Sequence, residues 1–186
     1  GYAAAWIKEA KKRGLPNISN TVDALAAMAN DNAVKLFEKY KVLSGGELHA
    51  RYEVYLEQYT KSINIEAKAS IGMVRKQSIP SVISYLGDLG QASQNAKSIG
   101  LAVTVQKDLA GKITKHLVGA YKQLAVLEAA QEKANGIEHA KEKAEAFRDK
   151  VVPVMNSLRS DIDALEFLLP ATSWPVPSYA EMLFKL

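Results

Sequence analysis

The chain has 186 residues, of which 48% are hydrophobic and 24% are charged, so one domain of generous size, or one domain with an appendage, can bury a core. It contains no cysteine, which excludes disulfides, thiolate metal sites and cysteine nucleophiles. The longest stretch without a charged residue is 167–180, where three prolines interrupt 14 residues. A membrane-spanning helix needs about 20 apolar residues, so no transmembrane segment is predicted.

The formal net charge of +4 is concentrated near the N-terminus, where residues 1–46 hold 7 basic and 4 acidic side chains. Most of the excess comes from four cations at the predicted end of the first helix: Lys8, Lys11, Lys12 and Arg13. Cations at that end complement the helix dipole. The cluster therefore indicates a solvated helix end rather than a phosphate-binding surface, and no nucleic-acid partner is expected.

Residues 1–43 are predicted to form an N-terminal helical pair. The first helical segment should end near Arg13, because Gly14 and Pro16 supply a stop. Residues 19–21 offer N-cap side chains for the following segment, whose apolar residues recur at helical spacing with a break around 30–32.

Residues 44–169 are predicted to form an antiparallel bundle of long helices. Ser44 and Glu47 match a capping box and should open the first helix. Pro80 is expected to kink or interrupt that helix, and a turn is expected within 87–102. The apolar face of this helix is predicted to consist of Leu48, Tyr52, Tyr55, Tyr59, Ile63, Ala67, Ser70 and Val74.

Two more long helices follow in this prediction. One runs from Val103 to a C-cap at Asn135-Gly136, and the last continues to Leu169 with a bend at Pro153. No run of β-branched residues alternates with period two, so strands are not expected. The predicted fold is all-α: three long helices of about 30 to 40 residues, or four if Pro80 splits the first, in an elongated bundle.

The tail, residues 170–186, is rich in proline and aromatic residues. The Trp174-Pro-Val-Pro177 run favours extended backbone. Ser178 and Glu181 match a second capping box, which should open a short terminal helix. The tail is expected to dock, burying Trp174, Pro177, Tyr179 and Phe184.

Residues that could carry chemistry are sparse. His49, His116 and His139 are not spaced at i,i+4, and no nucleotide-binding, zinc-protease or hydrolase motif occurs. Glu66 lies near the predicted apolar face and is expected to pair with Arg51, Arg75 or a buried amide. The tyrosines at 52, 55 and 59 are interpreted as core aromatics. No catalytic residue, cofactor-binding residue or metal ligand is assigned, and the residues indicate a scaffold.

Four stretches, taken in order, resemble the C-terminal region of type III glutamine synthetases. The most specific is 47–67, because its pattern RYE-x₂-LE-x-Y-x-K-x-INIEA is long and unusual. The stretches are WIKEAKKRGLPN (6–17), ELHARYEVYLEQYTKSINIEA (47–67), IPSVISY (79–85) and the segment 158–184 with its WPVPSYAEMLF ending.

The resemblance implies a cytoplasmic bacterial enzyme that ligates ammonia to glutamate with ATP and Mg or Mn, through a γ-glutamyl phosphate. It implies a homo-oligomer, a dodecamer in the family, whose catalytic residues lie upstream of the part that this chain resembles. The chain, which starts at Gly1, is therefore expected to be an excised, inactive C-terminal domain. Its expected partners are its own catalytic domain, joined through 1–43, and neighbouring subunits.

Two other functions remain open at this point. In one, the helical bundle or the tail is a regulatory module that binds a small effector or a partner protein. In the other, the chain is a free-standing helical adaptor unrelated to any enzyme, which requires that the encoding reading frame begin and end at these residues.

Overall fold

The computed structural model describes residues 3–177 and 179–183, and within these ranges it contains helices and no strand. The all-α prediction is confirmed. None of the described helices is both long enough and apolar enough to cross a membrane. In chain order the α-helices are α1 (Ala4–Lys12), α2 (Thr21–Met28), α3 (Asp31–Lys39), α4 (Gly45–Met73), α5 (Ile79–Ser98), α6 (Thr104–Asn135), α7 (Ala140–Ala146), α8 (Val152–Leu168) and α9 (Tyr179–Leu183).

The residue contacts divide the chain into two compact units. The first unit contains the residues up to Ser62 together with Glu138–Glu145, and the second contains Ile63–Ile137 together with the residues from Ala146 onward. The first unit has a small apolar cluster in which three buried residues are covered by partly buried neighbours. The buried residues are Val22, Leu56 and Ala144, and the neighbours are Leu25, Tyr52, Tyr59 and Ala140.

Two asparagines cap the short helices of the first unit. The side-chain oxygen of Asn20 accepts a hydrogen bond from the Asp23 amide at 2.9 Å and begins α2. The side chain of Asn30 accepts from the Ala33 amide at 2.9 Å and donates to the Ala27 carbonyl at 2.8 Å. Asn30 thus separates α2 from α3, because its side chain satisfies the end of one helix and the start of the next. The pair predicted for 1–43 is therefore resolved into three short helices.

The predicted capping box at the start of α4 is confirmed. The Ser44 amide donates to Oε2 of Glu47 at 2.8 Å, and the Glu47 amide donates to Oγ of Ser44 at 3.3 Å. Glu38 of α3 adds a further acceptor, since its Oε1 receives the Gly45 amide at 3.0 Å. These bonds satisfy amides that the first turn of a helix leaves unpaired, so they fix where α4 begins.

Both prolines inside the long helices are preceded by a π-helical turn. Val74–Ser78 joins α4 to α5 just before Pro80, and Phe147–Val151 joins α7 to α8 just before Pro153. A proline lacks an amide hydrogen and crowds the carbonyl four residues earlier, and a widened turn relieves both problems. The expected interruption at Pro80 and bend at Pro153 are realised as local π turns, and helical backbone continues from Gly45 to Ser98, longer than the predicted length.

The second unit is built around α5, α6 and α8. Residues 99–103 connect α5 to α6. This connection begins inside the region predicted to contain a turn, 87–102, and ends one residue beyond it. Gly87 and Gly90 lie inside α5. Gly100 has φ +82°, which favours glycine. Helix α6 packs on α5 and, more extensively, on α8. The largest fully buried side chains of this unit are Val82, Ile113, Leu127, Phe147, Val151, Leu158 and Leu165.

The tail is partly buried. The 3-10 helix Ala171–Ser173 packs on α5, and Trp174 is only 9% exposed. Pro177 is exposed, contrary to the prediction that it is buried. Helix α9 forms where the second capping box predicted one, but Ser178 and Phe184 lie outside the described residues, as does the side chain of Tyr179.

Candidate interaction surface

The three histidines occupy different places. His49 and His139 are exposed on the first unit, whereas His116 of α6 is half-buried in the second. Nδ1 of His116 lies 2.9 Å from Oδ1 of Asp161 on α8. No group of three histidine or acidic side chains that could hold a metal ion converges anywhere in 3–177 or 179–183. The His116–Asp161 pair therefore connects two helices, and within the described part of the chain no third histidine or acidic side chain joins it to form a metal site.

Glu66 does not occupy the position predicted from its neighbours. It is exposed on α4, and Arg75, one of its expected partners, forms an ion pair with Glu128 of α6. The polar contacts between α4 and α6 come instead from Asn64, whose side chain accepts from Gln131 at 2.7 Å and donates to Asn135 at 3.4 Å. These contacts fix the register of α4 against α6.

Carboxylates that accept hydrogen bonds at the surface have lowered pKa values. Hydrogen bonds from the Ser44 amide and hydroxyl lower the pKa of Glu47. A hydrogen bond from Lys61, at 2.9 Å, lowers the pKa of Glu57, and hydrogen bonds from Arg148 lower that of Asp149. Lowered pKa values keep these groups ionised at neutral pH, which is unsuitable for a general acid.

The tyrosines of α4 do not share one environment. Tyr52 and Tyr59 pack on the apolar cluster of the first unit, as predicted for core aromatics. Tyr55 is 41% exposed, and the predicted core position is taken by Leu56, which is fully buried. The other residues of the predicted apolar face are buried or half-buried, so the prediction fails only at Tyr55, which lies about 100° around the helix from Leu56.

Tyr55 lies on an exposed face of α4, and it lines two of the hollows found there. One hollow of about 320 Å³ is lined by Leu43, Glu47, Ala50, Arg51, Val54 and Tyr55. A second, of about 410 Å³, is lined by Thr21, Leu25, Tyr55, Gln58, Tyr59 and Ser62. A third, of about 290 Å³, is lined by Glu38, Lys41, Val42, Leu43, Ser44 and Glu47. We call the surface formed by these residues the α4 groove.

Sequence patterning did not locate the α4 groove. Its residues come from α2, the α3–α4 connection and α4, so only the packing of these elements brings them together. The available signal was apolar content of α4 beyond its predicted buried stripe, since Val54 lies outside that stripe. A helix that is apolar beyond its core face commonly has a second contact surface.

The described residues thus define a helical domain that exposes an apolar groove and brings together no catalytic group. A family model of the glutamine synthetase C-terminal domain matches residues 1–97. Glutamine synthetases from Butyrivibrio fibrisolvens and from Bacteroides fragilis are each 32% identical to this chain, over 100% and 99% of its length. A type-3 glutamine synthetase from Dictyostelium discoideum is 32% identical over 99% of the chain.

The chain belongs to the glutamine synthetase C-terminal domain family. The resemblance stated from the four sequence stretches is confirmed. The chain spans about a quarter of the length of these relatives: 27% of the first and 26% of each of the other two.

Proposed function

We propose that this chain is the C-terminal accessory domain of a type III glutamine synthetase, a cytoplasmic enzyme that ligates ammonia to glutamate with ATP. The proposal is supported by the family model and by three relatives named glutamine synthetase, one of them type-3. In this proposal the chemistry takes place in the part of the enzyme outside the matched quarter.

The ATP and the Mg or Mn ions of the proposed reaction do not fit the residues described in this chain. A divalent metal needs several converging oxygen or nitrogen ligands. No such group converges in the described residues, and several carboxylates are used in caps and ion pairs, as in Ser44–Glu47, Lys61–Glu57 and Arg75–Glu128. No step of the reaction is therefore assigned to this chain.

The proposed role is structural: packing on the catalytic domain and contributing to subunit contacts in a homo-oligomer, a dodecamer by analogy with the family. Residues 1–43 would form the junction to the catalytic domain, 44–169 the bundle and 170–186 the docked tail. The observation that carries this role is α3, an amphipathic helix of nine residues in which no residue is buried. Leu36 of this helix is 56% exposed, and covering it on a further surface would remove apolar area from water.

The test compares a full-length glutamine synthetase carrying this domain with a version that lacks the region 44–186. Mass photometry measures the oligomeric state, and hydroxamate formation from glutamate, hydroxylamine and ATP measures activity. We expect smaller assemblies after the deletion and no turnover by the 186-residue chain alone. An unchanged assembly would contradict the structural role, and turnover by the isolated chain would contradict its inactivity.

A regulatory binding module is the second candidate, and one cavity favours it. A hollow of about 280 Å³ lies against the tail and is lined by Glu166, Leu169, Ala171, Trp174, Pro175, Val176, Pro177 and Glu181. Its volume is close to the lower end of small-molecule sites, about 300 Å³. Calorimetry of the chain with glutamine and with nucleotides tests this candidate. Saturable binding that is lost in Trp174→Ala supports regulation, and absence of heat at millimolar ligand rejects it for these compounds.

A further inference from the structure

Asn135, the last residue of α6, is followed by glycine, and it is the only one of the eight asparagines with this neighbour. Asparagine is thermolabile because the backbone nitrogen of the next residue can attack the side-chain carbonyl carbon, Cγ, and close a five-membered succinimide ring. A side chain on that next residue hinders the attack, and glycine has none. The sequence therefore makes Asn135 the asparagine with the least hindered neighbour.

Asn135 and Gly136 also lie where the backbone opens easily. Both residues are exposed, and 136–139 form the connection between α6 and α7. The Gly136 amide donates to the Glu132 carbonyl at 3.1 Å, so the attacking nitrogen is held only by the last turn of α6. Hydrogen bonds at helix ends open more often than those in the middle, because helix ends fray. Fraying of this turn releases the Gly136 nitrogen and frees backbone rotation at Asn135.

The carboxamide of Asn135 is held by one long contact. Its Oδ1 accepts from Nδ2 of Asn64 at 3.4 Å, which is longer than a usual hydrogen bond. Asn20 and Asn30, by contrast, each accept from a backbone amide at 2.9 Å and donate at 2.7 and 2.8 Å. The Asn135 carboxamide can therefore turn towards Gly136 with little loss of bonding, whereas the two capping asparagines are held at both of their polar atoms.

We propose that Asn135 is a site of spontaneous deamidation, and that the reaction weakens the end of α6. The Gly136 nitrogen forms a bond to Cγ of Asn135, and the bond from Cγ to the carboxamide nitrogen breaks. The proton of the Gly136 amide leaves with that carboxamide nitrogen as ammonia. Water then opens the succinimide at either of its two carbonyl carbons, which leaves aspartate or isoaspartate at position 135.

Each product disturbs the last turn of α6. A carboxylate at position 135 places negative charge at the C-terminal end of the helix, one turn from Glu132, where the helix dipole favours cations. Isoaspartate also adds a methylene group to the main chain, which moves the Gly136 amide away from the Glu132 carbonyl. Asn64 contacts both Asn135 and Gln131, so a change at position 135 also reaches the contact between α4 and α6.

Peptide mapping by mass spectrometry tests the proposal on the purified chain, incubated at neutral pH and sampled over time. Each asparagine-containing peptide is followed for the mass change that accompanies replacement of an amide by a carboxylate. The matched control is Gly136→Ala, which puts a methyl group on the attacking residue. Gly136 has φ −74°, and the nearest atoms to an added β-carbon are the Lys133 and Glu132 carbonyl oxygens at 3.6 and 3.7 Å, so alanine fits without strain.

We expect Asn135 to convert several times faster than any other asparagine, and Gly136→Ala to slow that conversion several-fold. Earlier conversion of a different asparagine, or equal rates with glycine and alanine at position 136, would overturn the proposal. An Asn135 that stays intact in the folded chain while a synthetic peptide of residues 131–140 converts completely would also overturn it, because the folded helix end would then block the reaction.

A substitution provides a second readout, since Asn135→Asp reproduces one of the two products. The control is Asn156→Asp, which adds the same charge at an exposed position inside α8. We expect Asn135→Asp to lower the melting temperature by more than the control does, because only position 135 lies at the negative end of a helix dipole. An equal or smaller decrease would contradict the weakening of the end of α6.

Discussion

Asp161 of α8 lies directly over Gly119 of α6. A β-carbon added to Gly119 would stand 2.8 Å from Cγ of Asp161, closer than side chains pack. The carboxylate that occupies this space also contacts His116, one turn earlier on α6, at 2.9 Å. The absence of a side chain at Gly119 therefore leaves the space in which the Asp161 carboxylate lies against α6 and contacts His116.

Gly119→Ala should destabilise the second unit, because the methyl group forces the Asp161 carboxylate out of its position against α6. Overpacking of this kind costs about 1–3 kcal/mol. The matched control is Gly111→Ala, since a β-carbon at Gly111 of the same helix meets no atom within 4 Å. That change should be neutral or stabilise by about 0.5–1 kcal/mol, the helix advantage of alanine. Urea denaturation of the two variants measures the difference, and equal effects would contradict the close contact.

Removal of the Asp161 side chain should rescue Gly119→Ala. Asp161→Ala alone loses the contact with His116, but it also empties the space that the new methyl group needs. We expect the double variant to be more stable than the sum of the two single changes predicts, with a coupling of about 0.5–3 kcal/mol. A double-mutant cycle by urea denaturation measures this coupling. Strict additivity would show that Gly119 and Asp161 do not compete for the same space.

Stability should depend on the ionisation of Glu47. Hydrogen bonds from Ser44 lower the pKa of Glu47 in the folded state, so folding favours the ionised form. This contribution is complete above the unfolded pKa, about 4.3, and is lost as the pH falls through the lower folded pKa. Glu47→Gln should therefore flatten the fall in stability on acidification, while retaining a capping-box acceptor.

The measurement is urea denaturation of the unmodified chain and of Glu47→Gln from neutral pH to about pH 3, the range in which carboxylates titrate. Glu53→Gln is the control, because Glu53 is an exposed carboxylate of the same helix outside the capping box. A pH profile of Glu47→Gln that is parallel to that of the unmodified chain would contradict the prediction.

The tail should stabilise the second unit through Trp174. Its side chain is 9% exposed, and its buried Nε1 has no hydrogen-bond partner among the residues that the structure describes. Trp174→Ala should cost about 3–5 kcal/mol, as for other buried tryptophans. Trp174→Phe should cost much less, because phenylalanine keeps most of the apolar contact and removes the unpaired donor. Thermal unfolding of the two variants and of a chain cut after Leu169 tests this, and a cut chain that melts at the original temperature would show that the tail is not docked.

Local sequence signals predicted much of the fold. The capping box at Ser44 and Glu47, the stop at Gly14 and the C-cap at Gly136 act within a few residues of the chain, so their effects can be worked out from the sequence. The His116–Asp161 contact joins residues 45 positions apart, and no local pattern indicates it. The burial of Leu56 in place of Tyr55 was missed because both residues are apolar enough to occupy a core face.

The amino-acid sequence by itself determined the all-α class, the starts and stops of most helices and the family, because helix caps, periodicity and motifs are short-range properties. Tertiary structure decided that Leu56 rather than Tyr55 is buried, how Pro80 and Pro153 are accommodated by π turns, and which exposed residues meet in the α4 groove. Those features depend on the mutual fit of side chains from distant segments, and that fit is established only when the helices pack.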